Sequence, residues 1–169
     1  EGDDVVVQHT LTDDDGRVYV AGYFKTNITL GEITIDTTAG EKAVFMARMA
    51  SDGTWEWLLG LNGTEVVSDI TVDSSGNMYL VGHYTDPHDS DTCSLCADFI
   101  WGDTEISSGS SGHDNGYIIK VFDNGTEGWA QMIRDTHNSL DFRIDAVAIS
   151  EADDGSFQNL VIAGSLGYQ

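Results

Sequence analysis

Two stretches of this chain are near copies of each other, and no other feature limits its possible folds as much. Asp13-Asp14-Asp15-Gly16-Arg17-Val18-Tyr19-Val20-Ala21-Gly22-Tyr23-Phe24 recurs as Asp73-Ser74-Ser75-Gly76-Asn77-Met78-Tyr79-Leu80-Val81-Gly82-His83-Tyr84, a shift of 60 residues from Gly22 to Gly82. A degraded third copy ends in Leu160-Val161-Ile162-Ala163-Gly164, a further 82 residues on. A second element is interleaved with the first. Phe45-Met46-Ala47-Arg48-Met49-Ala50-Ser51-Asp52-Gly53, followed by Trp57, matches Tyr117-Ile118-Ile119-Lys120-Val121-Phe122-Asp123-Asn124-Gly125, followed by Trp129, at a shift of 72. Even the lone basic residue in the apolar run is kept, as Arg48 and Lys120. Two motifs repeating in the same order mark stacked units that bury their apolar faces against one another.

Each motif also reads locally. Val18–Val20 and Met78–Val81 are short, β-branched or aromatic, and bounded by Asp/Gly turns, which is the pattern of strands. In the Asp-x-x-Gly turns the glycine supplies a positive φ and the Asp side chain bonds nearby backbone N–H groups. Asp52-Gly53 and Asn124-Gly125 signal hairpins. Strands are expected before the Asp turns at Val5–Leu11, Ser68–Val72 and Ile144–Ile149. No window sustains helical periodicity, so the expected class is all-β.

The repeating unit is then four antiparallel strands, the arrangement of one β-propeller blade. Residues 1–169 read as one segment with repeats at about 5–62, 63–136 and a partial 137–169. That makes about ten strands, or two and a half blades, against the roughly four to eight blades that close a propeller. Each unit is longer than usual because of an excursion between its second and third strands, at 25–42 and 85–115. Leu30-Gly31-Glu32-Ile33 and Trp101-Gly102-Asp103-Thr104 correspond within those excursions.

On these residues the chain resembles the SBBP-type repeat family of bacterial and archaeal surface proteins, a seven-bladed β-propeller family. Residues 73–84 match the family's first block nearly throughout, and 45–57 and 117–129 match its last. The resemblance spans most of residues 5–166, with Arg17 where the family has Asn and no Asp before Phe45 or Tyr117 at the family spacing. It implies an extracellular or cell-surface module within a larger protein and no single activity. The shortfall in blades reads as a fragment of a longer chain, as a homo-oligomer that closes the ring, or as an open sheet stack or distorted small β-fold.

Charge narrows the partners. With 29 acidic and 7 basic residues the formal net charge is −22, which disfavours nucleic acid and anionic membranes. No apolar run reaches the length of a membrane helix, and Glu1-Gly2-Asp3-Asp4 is unlike a signal peptide. Sequons at Asn27, Asn62 and Asn124 fit an extracellular setting and are glycosylation candidates.

Candidate chemistry is sparse. Tyr19, Tyr79, Trp57, Trp129, Gly22, Gly82 and Gly164 recur at fixed repeat positions and are expected to be structural, the tryptophans packing between units. Trp101, Asp103 and His88 are candidates for a ligand loop, although the counterpart of Trp101 is Leu30. His83 and His88 are expected to be solvated. Cys93 and Cys96 form a CxxC in an insertion, read as a local disulfide, with zinc or free thiols as alternatives. Asp13, Asp15, Asp73, Asp153 and Asp154 are candidate Ca²⁺ ligands, although none fits an EF-hand and their turn role suffices to explain them. No nucleophile elbow, zinc-protease motif or phosphate loop is present. The expected function is a non-catalytic binding or adhesion module for a glycan or protein. The alternatives are a lectin-like oligomer of short chains and a carbohydrate-active enzyme domain.

Overall fold

The computed structural model describes residues 4–37, 42–62, 66–85, 99–101, 104–106, 113–133, 140–151 and 158–167. Among them are fourteen strands and no helix. They are β1 (Val6–Thr12), β2 (Val18–Lys25), β3 (Asn27–Leu30), β4 (Ile33–Asp36), β5 (Lys42–Met49), β6 (Trp55–Asn62), β7 (Val66–Val72), β8 (Met78–Thr85), β9 (Phe99–Trp101), β10 (Thr104–Ile106), β11 (Asp114–Val121), β12 (Glu127–Ile133), β13 (Asp141–Glu151) and β14 (Gln158–Gly167). With no helix, no described segment is a helix long and apolar enough to cross a membrane.

The strands form antiparallel sheets. The first has the order β1-β2-β5-β6 and the second β7-β8-β11-β12, the same connectivity in two successive stretches of chain. A third sheet pairs β13 with β14. These sheets hold the ten strands expected from the repeats. The other four lie in the excursions, which fold into the small hairpins β3–β4 and β9–β10. Leu30 pairs with Ile33 across the first turn and Trp101 with Thr104 across the second, so the two excursions share their register.

The repeated Gly has a physical cause that spacing alone does not disclose. Strand β1 shifts register between Val7 and His9, β7 between Val67 and Asp69, and β13 between Ile144 and Ala146. Opposite the three bulges stand Gly22, Gly82 and Gly164. A Cβ on these glycines would strike the carbonyl oxygens of Val6, Val66 and Arg143 respectively. A bulge brings the partner backbone in close, and only a residue without a side chain fits there.

Strands β2, β5 and β11 carry buried side chains on both faces, so the first and second sheets need cover on two sides. Between the first and second sheets lies the largest core, with Tyr19, Met46 and Trp57 from one side meeting Leu80, Tyr117 and Ile119 from the other. The hairpin β3–β4 covers the opposite face of the first sheet, seating Ile28 on Phe24 and Phe45. Ile144 and Val147 of β13 pack on Val81 and Ile118 of the second sheet. Each fully buried Leu, Ile or Phe contributes about 1.5–3 kcal/mol by leaving water, before conformational entropy is set against it.

Candidate functional site

The Asp turns are built around one carboxylate each. Asp13 Oδ1 accepts the N–H groups of Asp15 (3.0 Å) and Arg17 (2.9 Å), while Oδ2 accepts Arg17 Nε (2.7 Å) and the Tyr19 hydroxyl (3.1 Å). Asp73 does the same sixty residues later. Its Oδ1 accepts from the amides of Ser75 (3.0 Å) and Asn77 (2.9 Å), and its Oδ2 from Asn77 Nδ2 (2.7 Å) and the Tyr79 hydroxyl (3.0 Å). The spacing Asp-x₅-Tyr therefore ties the turn to the following strand. Burial alone would raise the Asp13 carboxyl, but the Arg17 amide and guanidinium and the Tyr19 hydroxyl together hold it below the ordinary carboxylate value. Burial pushes the Tyr79 hydroxyl up, and its bond to the Asp73 carboxylate adds to that shift.

These turns border a cleft of about 750 Å³ where the leading strands of the three sheets come together. Leu11 of β1, Ile70 and Val72 of β7 and Ile149 of β13 supply its apolar lining. Asp13, Asp14, Asp15 and Asp73 line it with carboxylates, beside Arg17. The Asp15 side chain is 76 % exposed and pairs with Arg17 at 3.0 Å. Such a cleft presents acceptors to a ligand rich in O–H or N–H donors. It was hard to see in sequence, because each sheet supplies only the few residues before its turn. The matching positions just ahead of Asp13 and Asp73 were the one available signal.

For a cation the same carboxylates are poorly placed. Both oxygens of Asp13 and of Asp73 already accept protein donors, which leaves Asp14 and Asp15 on the open rim. Among the described residues no group of three or more His, Cys, Asp or Glu is disposed to hold a metal ion. Asp153 and Asp154 lie outside the described residues, as do Cys93, Cys96, His88 and Asp103.

The tryptophans divide. Trp57 is 6 % exposed and packs in the core between the first and second sheets, edge-on to Tyr19 with ring centroids 6.4 Å apart. Trp129 holds the same place beside Tyr79, at 6.1 Å, yet is 43 % exposed. Trp57 is thus enclosed by the two sheets, whereas among the described residues no turn lies over Trp129. Trp101 is fully buried in the core between the first two sheets and donates Nε1–H to the Lys120 carbonyl (3.1 Å). That placement corrects its assignment to a ligand loop: like Leu30, it turns an apolar side chain inward. His83 is corrected as well. It lies half-buried on β8, with Nδ1 buried and, among the described residues, without a hydrogen-bond partner, and burial lowers its pKa.

Sequence reasoning noticed Arg48 but not its role. Its guanidinium is buried, donates through Nε to Glu56 (2.7 Å) and through Nη1 to Asp123 of the second sheet's turn. Arg17 Nη1 reaches the same Asp123 at 3.1 Å. The sequon residue Asn124 is an exposed turn former whose Oδ1 accepts from the Thr126 amide and hydroxyl, and Asn27 begins β3. The side chain of Asn62 lies outside the description.

The chain matches no family model and no curated protein.

Proposed function

We propose that the chain is a β-propeller-type segment of a surface or extracellular protein and serves as a non-catalytic binding module. Its four-stranded sheets would be blades, and the cleft at their leading strands would be the ligand face. The observation that carries this reading is the convergence of β1, β7 and β13 on one open cleft with an apolar lining and a carboxylate rim. In a propeller the leading strands of all blades face a shared central channel, where loops and strand ends meet ligand. Completion of the ring falls to further sheets, from the same polypeptide or from other copies of it. The resemblance to the SBBP-type repeats supports the same architecture and a cell-surface setting.

The cleft suits a donor-rich ligand, either the hydroxyls of a glycan or the basic side chains of a protein. The two separate by salt. Carboxylates that accept hydroxyl protons bind nearly alike at low and high ionic strength, whereas contacts to Lys or Arg weaken steeply as salt screens them. A glycan array run beside a panel of basic and acidic peptides tests the proposal. Binding that Leu11→Glu or Ile149→Glu abolishes, in a protein that still unfolds cooperatively, supports the cleft. Silence on both panels, or binding unaffected by those substitutions, overturns it.

A further inference from the structure

We infer that β14 and the Trp129 side of the second sheet form one docking surface for a β-hairpin whose turn carries the pattern Asp-x-Gly. This concerns how the sheets assemble and does not depend on what the cleft binds. Two independent observations converge on it.

The first is a packed interface that occurs once and is half prepared a second time. On the first sheet Tyr19, Arg48 and Trp57 form a group: Arg48 lies over both rings at 5.8 Å, and the rings touch edge to face. The turn between β11 and β12 closes over that group. Asp123 pairs with Arg48, and a Cβ on Gly125 would come within 2.6 Å of Trp57. The second sheet carries the same group as Tyr79, Lys120 and Trp129, with Lys120 Nζ 5.1 Å from the Tyr79 ring. Among the described residues no carboxylate pairs with Lys120 and no turn covers Trp129. The surface therefore asks for what the first one receives, an acid for the cation and a glycine over the indole.

The second observation is the edge of the third sheet. In the first two sheets the second strand is paired on both sides, β2 by β1 and β5, β8 by β7 and β11. Strand β14 is their counterpart through the glycine and bulge, but among the described residues it pairs with β13 alone. The consequence shows residue by residue. Tyr19 and Tyr79 are buried where Val161 is 53 % exposed, and Val20 and Leu80 are buried where Ile162 is 38 % exposed. An apolar strand with an open edge is a template for strand addition.

Edge and face belong together, because β11 pairs with β8 while the turn after β11 reaches Trp57 on the sheet before. A hairpin added to β14 in that geometry carries its turn to Trp129. Its first strand would run antiparallel to β14, and its turn acid would meet Lys120.

The test appends a second copy of residues 113–133 after Gln169 through a Gly/Ser linker of about 15 residues, long enough to span a sheet. The copy carries Phe in place of its own tryptophan, so that any tryptophan change reports on the protein itself. Docking predicts slowed amide exchange along β14, a blue-shifted Trp129 emission with reduced quencher access, and a raised Tm in a monomer. Two altered copies, one with Lys at the Asp123 position and one with Val at the Gly125 position, should lose most of this. Lys120→Glu in the host should lose it too, with an effect of about tenfold or more on docking. Equal protection by an altered copy would mean unspecific edge pairing and overturn the inference. So would unchanged β14 exchange, or a parent protein that dimerises through β14 and is not displaced by the appended hairpin.

Discussion

At the scale of single residues, glycines with the same backbone conformation play different roles. Gly53 and Gly125 sit at equivalent turn positions with φ of 90° and 79°. A Cβ on Gly53 meets nothing within 4 Å, whereas one on Gly125 runs into Trp57. Gly53→Ala should therefore cost only the left-handed penalty, about 1–2 kcal/mol. Gly125→Ala should cost clearly more, and the excess should shrink in a Trp57→Ala background, as measured by a double-mutant cycle in urea. Asp13 supports a second prediction. Its folded pKa lies below the ordinary 3.8, so its contribution is full above that value and fades as pH falls through the folded one. Asp13→Asn should cost about 1 kcal/mol near neutral pH, and the gap from wild type should narrow as pH falls below 3.8. Sequence alone showed both glycines and the Asp turn. It could not show that Trp57 waits beneath Gly125, because that contact joins residues 68 positions apart.

At the scale of elements, the strands were the most legible part, since alternation and Asp/Gly turns are local. The excursions were less so. Their shared Leu30 and Trp101 segments were visible, but a four-residue strand carries too little pattern to stand out from a loop. The burial of His83 was hidden for another reason: β13, from a later repeat, brings Arg143 and Asp145 towards it. The charges facing it are Asp114 and Asp145, which raise its pKa, and Arg143, which lowers it; burial outweighs them and the net shift is down from 6.5. In the interval below 6.5 the unfolded chain binds the proton more readily than the folded one. Stability from this group is thus present above pH 6.5 and is lost as pH falls towards the folded value. His83→Gln should flatten that dependence, so the difference between wild type and variant should change between pH of about 7.5 and 5.5. Amide exchange should place the acid-sensitive opening at the contact of β13 with β8. A wild type and variant that respond to acid in parallel would rule this out.

For the whole molecule the question is how so acidic a chain stays compact. Its net charge is −22, and the seven basic residues are used with economy. Arg17 and Arg48 both meet Asp123 across the interface of the first two sheets, and Arg143 of the third meets Asp114 of the second. Three of the four arginines thus stand where sheets join, while Lys25 pairs with exposed Asp4. Salt acts on inter-sheet pairs and exposed charges unequally. Exposed like charges repel over a Debye length of about 30 Å at 0.01 M but only about 3 Å at 1 M, and buried pairs are screened much less. Adding NaCl should therefore raise the Tm rather than lower it. The inter-sheet pairs should also be asymmetric under mutation. The Arg48 side chain is 6 % exposed and that of Asp123 is 45 % exposed. Asp123→Asn leaves the buried Arg48 guanidinium with Glu56 as its one remaining carboxylate and should cost about 3 kcal/mol. Arg48→Met leaves the half-exposed Asp123 with Arg17 and keeps the apolar contact with Trp57, so it should cost less. Salt should rescue neither variant in full, since what each has lost lies between the sheets. A larger loss for Arg48→Met than for Asp123→Asn, or a Tm that falls with salt, would mean that exposed ion pairs rather than sheet packing hold this acidic chain together.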